Sequence, residues 1–159
     1  MSATPIPRSL ALAFFGEFDV SVIDEMPAGR KPITTKIISE AEFKKMKPRI
    51  LTKISQGQRV FIVTPLIEES EILNEVKSAQ QQFEEISQIY TELKNEIGML
   101  HGKMKSADKD EIMTDFKSGK IKLLVATTVI EVGIDIPEAT IMVVMNSERF
   151  GLSQLHQLR

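Results

Sequence analysis

The stretch IKLLVATTVIEVGIDIP, at residues 121–137, decides the fold of this chain. Its first half is a short, unbroken apolar run rich in branched residues, which is typical of a strand buried on both faces inside a parallel sheet. The run ends at Thr127 and Thr128, and a short apolar stretch leads on to Gly133 and Asp135. Ligands of open α/β sheets bind at the carboxyl ends of the strands. This segment is therefore predicted to place polar groups at the ligand-binding edge of the sheet.

The composition fits one compact domain with no basic surface. A length of 159 residues is enough to bury roughly 70% of the unfolded surface. The net charge of −2 means that any contact with nucleic acid must be local. There is no cysteine, so disulfides and thiolate metal sites are excluded, and the two histidines lie far apart in sequence. No run of about 18 apolar residues and no signal-peptide pattern occurs, so we expect a soluble, cytoplasmic protein with no membrane partner.

Further apolar runs predict the neighbours of this central strand. Residues 60–64, 123–127 and 141–144 are expected to be buried, neighbouring strands of one parallel sheet, because their apolar runs require cover on both faces. Residues 33–38 and 97–100 are predicted to form two more strands. Strands that alternate with helices indicate an α/β fold in which the connections cross over the sheet.

Local signals also predict where the helices begin and end. Ser39 and Glu42 have the spacing of a capping box, and Pro48 is expected to interrupt the helix that follows. Ser106 is predicted to cap a second helix, which runs to residue 116 and has Gly119 at its far end. The charged, glutamine-rich pattern of residues 68–94 predicts a helix or a helix pair. We interpret it as facing solvent, and the alternative is a surface that binds a partner.

Several stretches resemble the motifs of the bacterial RecG-type ATP-dependent DNA helicases of superfamily 2. ATTVIEVGIDIP at residues 126–137 resembles motif V, and RVFIVTP at residues 59–65 resembles motif IV. SATPIPR at residues 2–8 is similar to motif III, and VIDEMPAGR at residues 22–30 is similar to the RecG-type linker. GLSQLHQLR at residues 151–159 resembles the entrance to motif VI. The transcription-repair coupling translocase shares several of these motifs and is the alternative family.

This resemblance implies a domain organisation and a set of partners. Residues 1–32 would be the tail of a first motor domain and its linker, and residues 33–159 would be the second RecA-like domain, truncated before the end of motif VI. Such a domain is an open parallel α/β sheet with helices on both faces. The full-length parent would hydrolyse ATP with Mg²⁺ and act on branched DNA, including forks and Holliday junctions, in recombination, repair and the processing of stalled replication forks. Its other partners would be the first RecA-like domain and the wedge domain of the same chain.

The resemblance also carries site residues onto this sequence. Gly133, Asp135 and Gln157 match positions on the ATP side, where a glycine lets the backbone approach phosphates and a carboxylate can accept from a ribose hydroxyl. The positions that match the DNA-backbone side are His101, Gly102, Lys103, Lys105, Thr127 and Thr128. Each residue has an ordinary structural explanation as well, since threonine suits a strand and glycine suits a turn. Their joint occurrence with the outer motifs favours the motor interpretation.

Motifs that the chain does not contain narrow its expected activity. It has no G-x-x-x-x-G-K-[ST] phosphate loop and no acidic motif II, so no catalytic residue is assigned to it. We therefore expect the chain alone to bind neither ATP nor Mg²⁺ and to turn over no ATP. A dinucleotide-binding enzyme would show G-x-G-x-x-G after its first strand, which is absent here. A purely structural interaction domain would not need the clustered polar strand ends.

Overall fold

The computed structural model describes residues 32–65, 72–127 and 136–158. Within these ranges four strands form one parallel sheet: β1 (Arg59–Thr64), β2 (Ile97–Leu100), β3 (Leu123–Thr127) and β4 (Ala139–Val144). Their order is β2-β3-β1-β4. The predicted parallel sheet is confirmed, and so is the placement of the three apolar runs as neighbouring strands, because β1 pairs with both β3 and β4.

The two central strands carry the core of the sheet. Every residue of β3 is buried, and so are Val60 to Thr64 of β1, as their unbroken apolar runs predict. The predicted burial of residues 141–144 is wrong. In β4, Met142 is 41% exposed and its neighbours are only partly buried. Within the described sheet β4 is an edge strand that pairs with β1 alone, so an apolar run there does not obtain cover on both faces.

The first helical region is divided as the sequence predicts. Helix α1 (Glu40–Lys45) begins at a complete capping box, in which Glu42 N–H donates to Ser39 Oγ and Ser39 N–H donates to the Glu42 carboxylate. The helix is interrupted at Met46, and helix α2 (Lys47–Ser55) then begins with Pro48 in its first turn. Proline is tolerated there because backbone N–H groups in the first turn of a helix have no helical acceptor.

The remaining helices have one corrected boundary. They are α3 (Ile72–Ile89), α4 (Ser106–Ser118) and α5 (Leu152–Leu158), with short 3₁₀ turns at Thr91–Leu93 and Ser147–Arg149. The prediction that Ser106 caps α4 is wrong by one residue, because Lys105 holds the extended cap conformation and Ser106 is already helical. Gly119 ends α4 as predicted, with φ at +83°, a left-handed conformation that glycine adopts without strain.

Helices cover both faces of the sheet, as the predicted α/β fold requires. On one face, α1, α2 and α3 pack on alternate residues of β1 and β3 through a cluster that includes Phe43, Ile50, Ile54, Ile86 and Tyr90. On the other face, Met113 and Phe116 of α4 pack on Phe61, Leu124 and Ala126. Because strand side chains alternate between faces, the two clusters divide the residues of β1 and β3 between them.

The predicted strand at residues 33–38 is not formed. This segment has no regular secondary structure, and Ile37 is 97% exposed. A strand requires a hydrogen-bonded neighbour, and none of the described strands pairs with these residues. Residues 33–37 fall in a compact unit of residues 1–37 and 151–159, whereas residue 38 belongs to the other unit, residues 38–150. No helix within the described ranges is long and apolar enough to cross a membrane.

Candidate functional site

The predicted ligand-binding edge of the sheet lies where β2 and β3 end. These parallel neighbours hold Leu100 opposite Ala126 in the last pair of their ladder. His101 follows Leu100 and Thr127 follows Ala126, so both residues reach the carboxyl edge of the sheet on adjacent strands. The structure therefore brings together the loop at residues 101–105 and the end of β3, which the sequence associated only through separate motifs.

Two polar atoms at this edge are buried and have no hydrogen-bond partner among the residues that the structure describes. Thr127 is only 4% exposed and its Oγ1 is unpartnered. The Nδ1 atom of His101 is also buried and unpartnered. A buried polar group left unpaired costs about 1–3 kcal/mol, so folding alone does not favour such groups. At the carboxyl edge of an α/β sheet, they are available to bond to an oxygen atom of a ligand.

The loop after β2 combines cations with the start of a helix. Met104 N–H donates to the carbonyl oxygen of His101 at 3.2 Å, which closes a tight turn. The side chains of Lys103 and Lys105 are exposed. Lys105 is the N-cap of α4, and no side-chain cap accepts from the first-turn amides of this helix. Unsatisfied amides at a helix start, next to two lysines, form a surface suited to an anion such as phosphate.

A lysine that the sequence analysis did not select supports this loop. Lys109 lies in the first turns of α4, and its Nζ donates to the carbonyl oxygen of Gly102 at 3.0 Å. Its backbone N–H donates to the carbonyl oxygen of Lys105 at 3.1 Å. Side chains on a helix lean toward its N-terminus, so a lysine four residues after the N-cap can reach back over the preceding loop. That spacing was the sequence signal that could have indicated Lys109.

The other predicted site residues are not gathered here. Thr128, Gly133 and Asp135 lie outside the described residues. Gln157 is exposed on α5, which belongs to the unit of residues 1–37 and 151–159. Among the residues that the structure describes, no group of three or more His, Cys, Asp or Glu side chains could hold a metal ion. The described part of the site is therefore an edge whose polar groups are suited to an anion, and both the DNA-side and the ATP-side assignments stay predictions.

Known proteins similar to this chain include helicases of two bacteria. The chain is 52% identical to the ATP-dependent DNA helicase RecG of Streptococcus pneumoniae, aligned over all of this chain and 23% of that protein. It is 51% identical to the ATP-dependent DNA helicase RecG of Thermotoga maritima, over all of this chain and 20% of that protein. The chain thus spans about a fifth of the length of these relatives.

A solved structure and a family model agree with the fold. The Mycobacterium smegmatis helicase Lhr, solved bound to ssDNA and AMP-PNP, has a TM-score of 0.50 and 17% identity, covering 77% of this chain and 15% of that one. At that identity the likeness concerns the RecA-like fold alone. The model of the helicase conserved C-terminal domain matches residues 42–159. The chain therefore belongs to the helicase conserved C-terminal domain family.

Proposed function

We propose that this chain is the second motor domain of a RecG-type ATP-dependent DNA helicase. The similarity to RecG proteins extends over the whole chain, including residues 1–32, which we assign to the tail of the first motor domain and the linker. The full-length protein would be cytoplasmic and would act on branched DNA, such as forks and Holliday junctions, in recombination, repair and the processing of stalled replication forks. Its first RecA-like domain and its wedge domain would complete the enzyme. This similarity favours RecG over a transcription-repair coupling translocase.

The observation that carries the DNA assignment is the pair of buried, unpartnered polar atoms at the carboxyl edge. Thr127 Oγ1, at the end of β3, and His101 Nδ1, directly after the neighbouring β2, have no hydrogen-bond partner among the described residues. A phosphate oxygen at this edge would accept from the Thr127 hydroxyl and from the open amides at the start of α4. Lys103 and Lys105 would contribute charge, and Gly102 would let the DNA backbone approach closely. Contacts of this kind position DNA without reading its sequence.

We assign the nucleotide contacts to Gly133, Asp135 and Gln157. In a motor of two such domains, ATP lies between them, and its binding and hydrolysis close and open the pair while each half holds DNA. The phosphate loop and the acidic residue that holds Mg²⁺ are assigned to the first domain. This chain would contribute only one side of the nucleotide site, so ATP turnover requires the full-length protein.

A salt titration tests the DNA assignment. Lys105→Ala should weaken binding to single-stranded and branched DNA evenly across sequences, because the lost contact is to phosphate. The slope of log affinity against log salt concentration should become shallower by about one unit. Lys117→Ala, which removes an exposed lysine at the far end of the same helix, is the matched control and should change neither quantity. A slope for Lys105→Ala equal to that of wild type would contradict the assignment.

A second experiment separates the nucleotide side from the DNA side. In the full-length protein, Asp135→Ala should lower DNA-stimulated ATP turnover far more than it lowers DNA affinity. Both quantities are measured on the same preparation, with a branched DNA substrate for turnover and a labelled DNA for binding. Wild-type turnover in the Asp135→Ala protein would remove this residue from the nucleotide site. The 159-residue chain alone should show no turnover.

A further inference from the structure

The geometry points to Lys109 as the positioning residue that holds the loop at residues 101–105 in its DNA-binding shape, an inference that rests on the proposed function. The side chain of Lys109 ties the helix to the loop, because its Nζ donates to Gly102 O at 3.0 Å. The backbone N–H of Lys109 makes the first helical bond of α4, to Lys105 O at 3.1 Å, as any residue at this position would. The ammonium bond therefore links the glycine of the loop to the first turn of α4.

The type of contact distinguishes Lys109 from three lysines that form ion pairs. The ammonium groups of Lys47, Lys120 and Lys122 each pair with a carboxylate. Lys109 instead donates to a neutral backbone carbonyl, which does not neutralise the ammonium charge as a carboxylate would. A hydrogen bond with a charged donor is shorter and stronger than one between neutral groups. Lys109 is also partly buried, so its ammonium is less screened by water than a fully exposed one.

This arrangement has a consequence for phosphate binding. Within the loop, Met104 N–H donates to His101 O at 3.2 Å and closes the turn. The tie from Lys109 to Gly102 adds a second constraint on the same few residues. Ordering a loop before the ligand arrives removes an entropic cost from binding. Without Lys109, the loop would have to be ordered by the DNA itself, and Lys105 would lose part of its contribution.

The first test measures the affinity of the 159-residue chain for fluorescein-labelled single-stranded DNA at low salt. Lys109→Met should bind about tenfold more weakly, the size expected for one charge-assisted hydrogen bond. Lys109→Arg, which keeps a charged donor, should recover affinity to within about threefold of wild type. Lys117→Met, on the far end of α4, should bind like wild type. If Lys109→Met does not fold, Lys109→Gln, which keeps a polar donor without the charge, replaces it.

A double-mutant cycle separates positioning from direct contact. If Lys109 acts through the loop, Lys105→Ala should weaken binding much less in the Lys109→Met background than in wild type. Additive losses would mean that Lys109 contacts DNA independently, and they would overturn the inference. If Lys105→Ala alone has no effect, the proposed DNA role of the loop fails, and the role of Lys109 in DNA binding fails with it.

Hydrogen exchange tests the positioning step without DNA. In Lys109→Met, the amide of Met104 should exchange faster than in wild type, because the turn that protects it is less ordered. Amides of β2 and β3 should keep their protection. Unchanged exchange at Met104 would overturn the inference about Lys109 while leaving the proposed function of the chain intact.

Discussion

The amino and carboxyl edges of the sheet differ in how their polar side chains are paired. At the amino edge, Arg59 Nη1 pairs with Glu138 Oε2 at 3.1 Å, and this contact links the starts of β1 and β4. Lys122 Nζ pairs with Glu96 Oε1 at 2.5 Å, which links the starts of β2 and β3. Charges at this edge are neutralised by charges of the same domain. The amino edge therefore serves the stability of the sheet.

At the carboxyl edge, several polar groups of the described chain are not paired with oppositely charged groups. His101 Nδ1 and Thr127 Oγ1 are buried without a described partner, and the Lys109 ammonium bonds to a carbonyl rather than a carboxylate. An unpartnered atom alone does not mark function, since Arg59 Nε and Tyr90 Oη also have no partner in the described part of the chain. The difference lies in position. Tyr90 packs near Phe43 inside the core, whereas the carboxyl-edge atoms lie where a parallel sheet binds ligands.

The largest expected effect concerns the unpartnered atom that we regard as purely structural. Burial raises the pKa of Tyr90 to about 12, so its phenol stays neutral in the folded state at a pH where the unfolded chain ionises. The stability that depends on this group is complete below about pH 10 and is lost as pH rises to about 12, a fall of about 2–3 kcal/mol in unfolding free energy. Tyr90→Phe should remove this fall without changing DNA affinity.

Urea unfolding of both proteins across that pH range measures the effect. Tyr90 is the single tyrosine of the chain, so phenolate absorbance in the native protein reports its ionisation directly. Ionisation near pH 10 in the folded protein would contradict the burial argument. A loss of DNA affinity in Tyr90→Phe would break the distinction between structural and functional unpartnered atoms.

Thr127→Val is expected to separate stability from binding. Valine has nearly the same shape, and it removes a buried hydroxyl that has no partner, so unfolding free energy should rise by about 1 kcal/mol. DNA affinity should fall several-fold, because the phosphate donor is lost. Urea unfolding and fluorescence anisotropy measure the two quantities. A variant that is less stable and binds DNA normally would show that the hydroxyl has only a structural role.

A matched threonine at the amino edge is the control for that experiment. Thr140 Oγ1 donates to Gln58 Oε1 at 2.7 Å in an exposed position. Thr140→Val should therefore lower stability slightly, by about 0.5 kcal/mol, and leave DNA affinity unchanged. Stability changes of opposite sign in the two valine variants would sharpen the contrast between the edges.

A similarly small effect is expected for the ion pair that closes the amino edge. Glu138→Gln leaves Arg59, whose side chain is 12% exposed, without its carboxylate, and should lower unfolding free energy by about 0.5–1 kcal/mol. The difference from wild type should shrink in high salt, because Glu138 is 54% exposed and its charge is screened. DNA affinity should not change. A clear loss of DNA binding would mean that the amino edge also contributes to the interface.

Local signals in the sequence predicted much of the fold because they act within a few residues. The capping box of Ser39 and Glu42 and the left-handed Gly119 both depend only on nearby backbone, and both are confirmed. The strand prediction at residues 33–38 is wrong, since a strand depends on a partner elsewhere in the chain. Burial of Met142 was overestimated for a similar reason, because an apolar run does not specify whether its strand is central or at an edge.

The sequence by itself determined which segments form β1 and β3, because unbroken branched apolar runs are stable only when both faces are covered. Its resemblance to helicase motifs also assigned residues of the loop at 101–105 to the DNA-backbone side. Only the tertiary structure decided that β2 lies beside β3, which brings His101 and Thr127 to adjacent positions. It alone showed the bond from Lys109 to Gly102. Strand order and side-chain hydrogen bonds depend on how distant segments pack against each other. The periodicity of residues within one segment does not specify that packing.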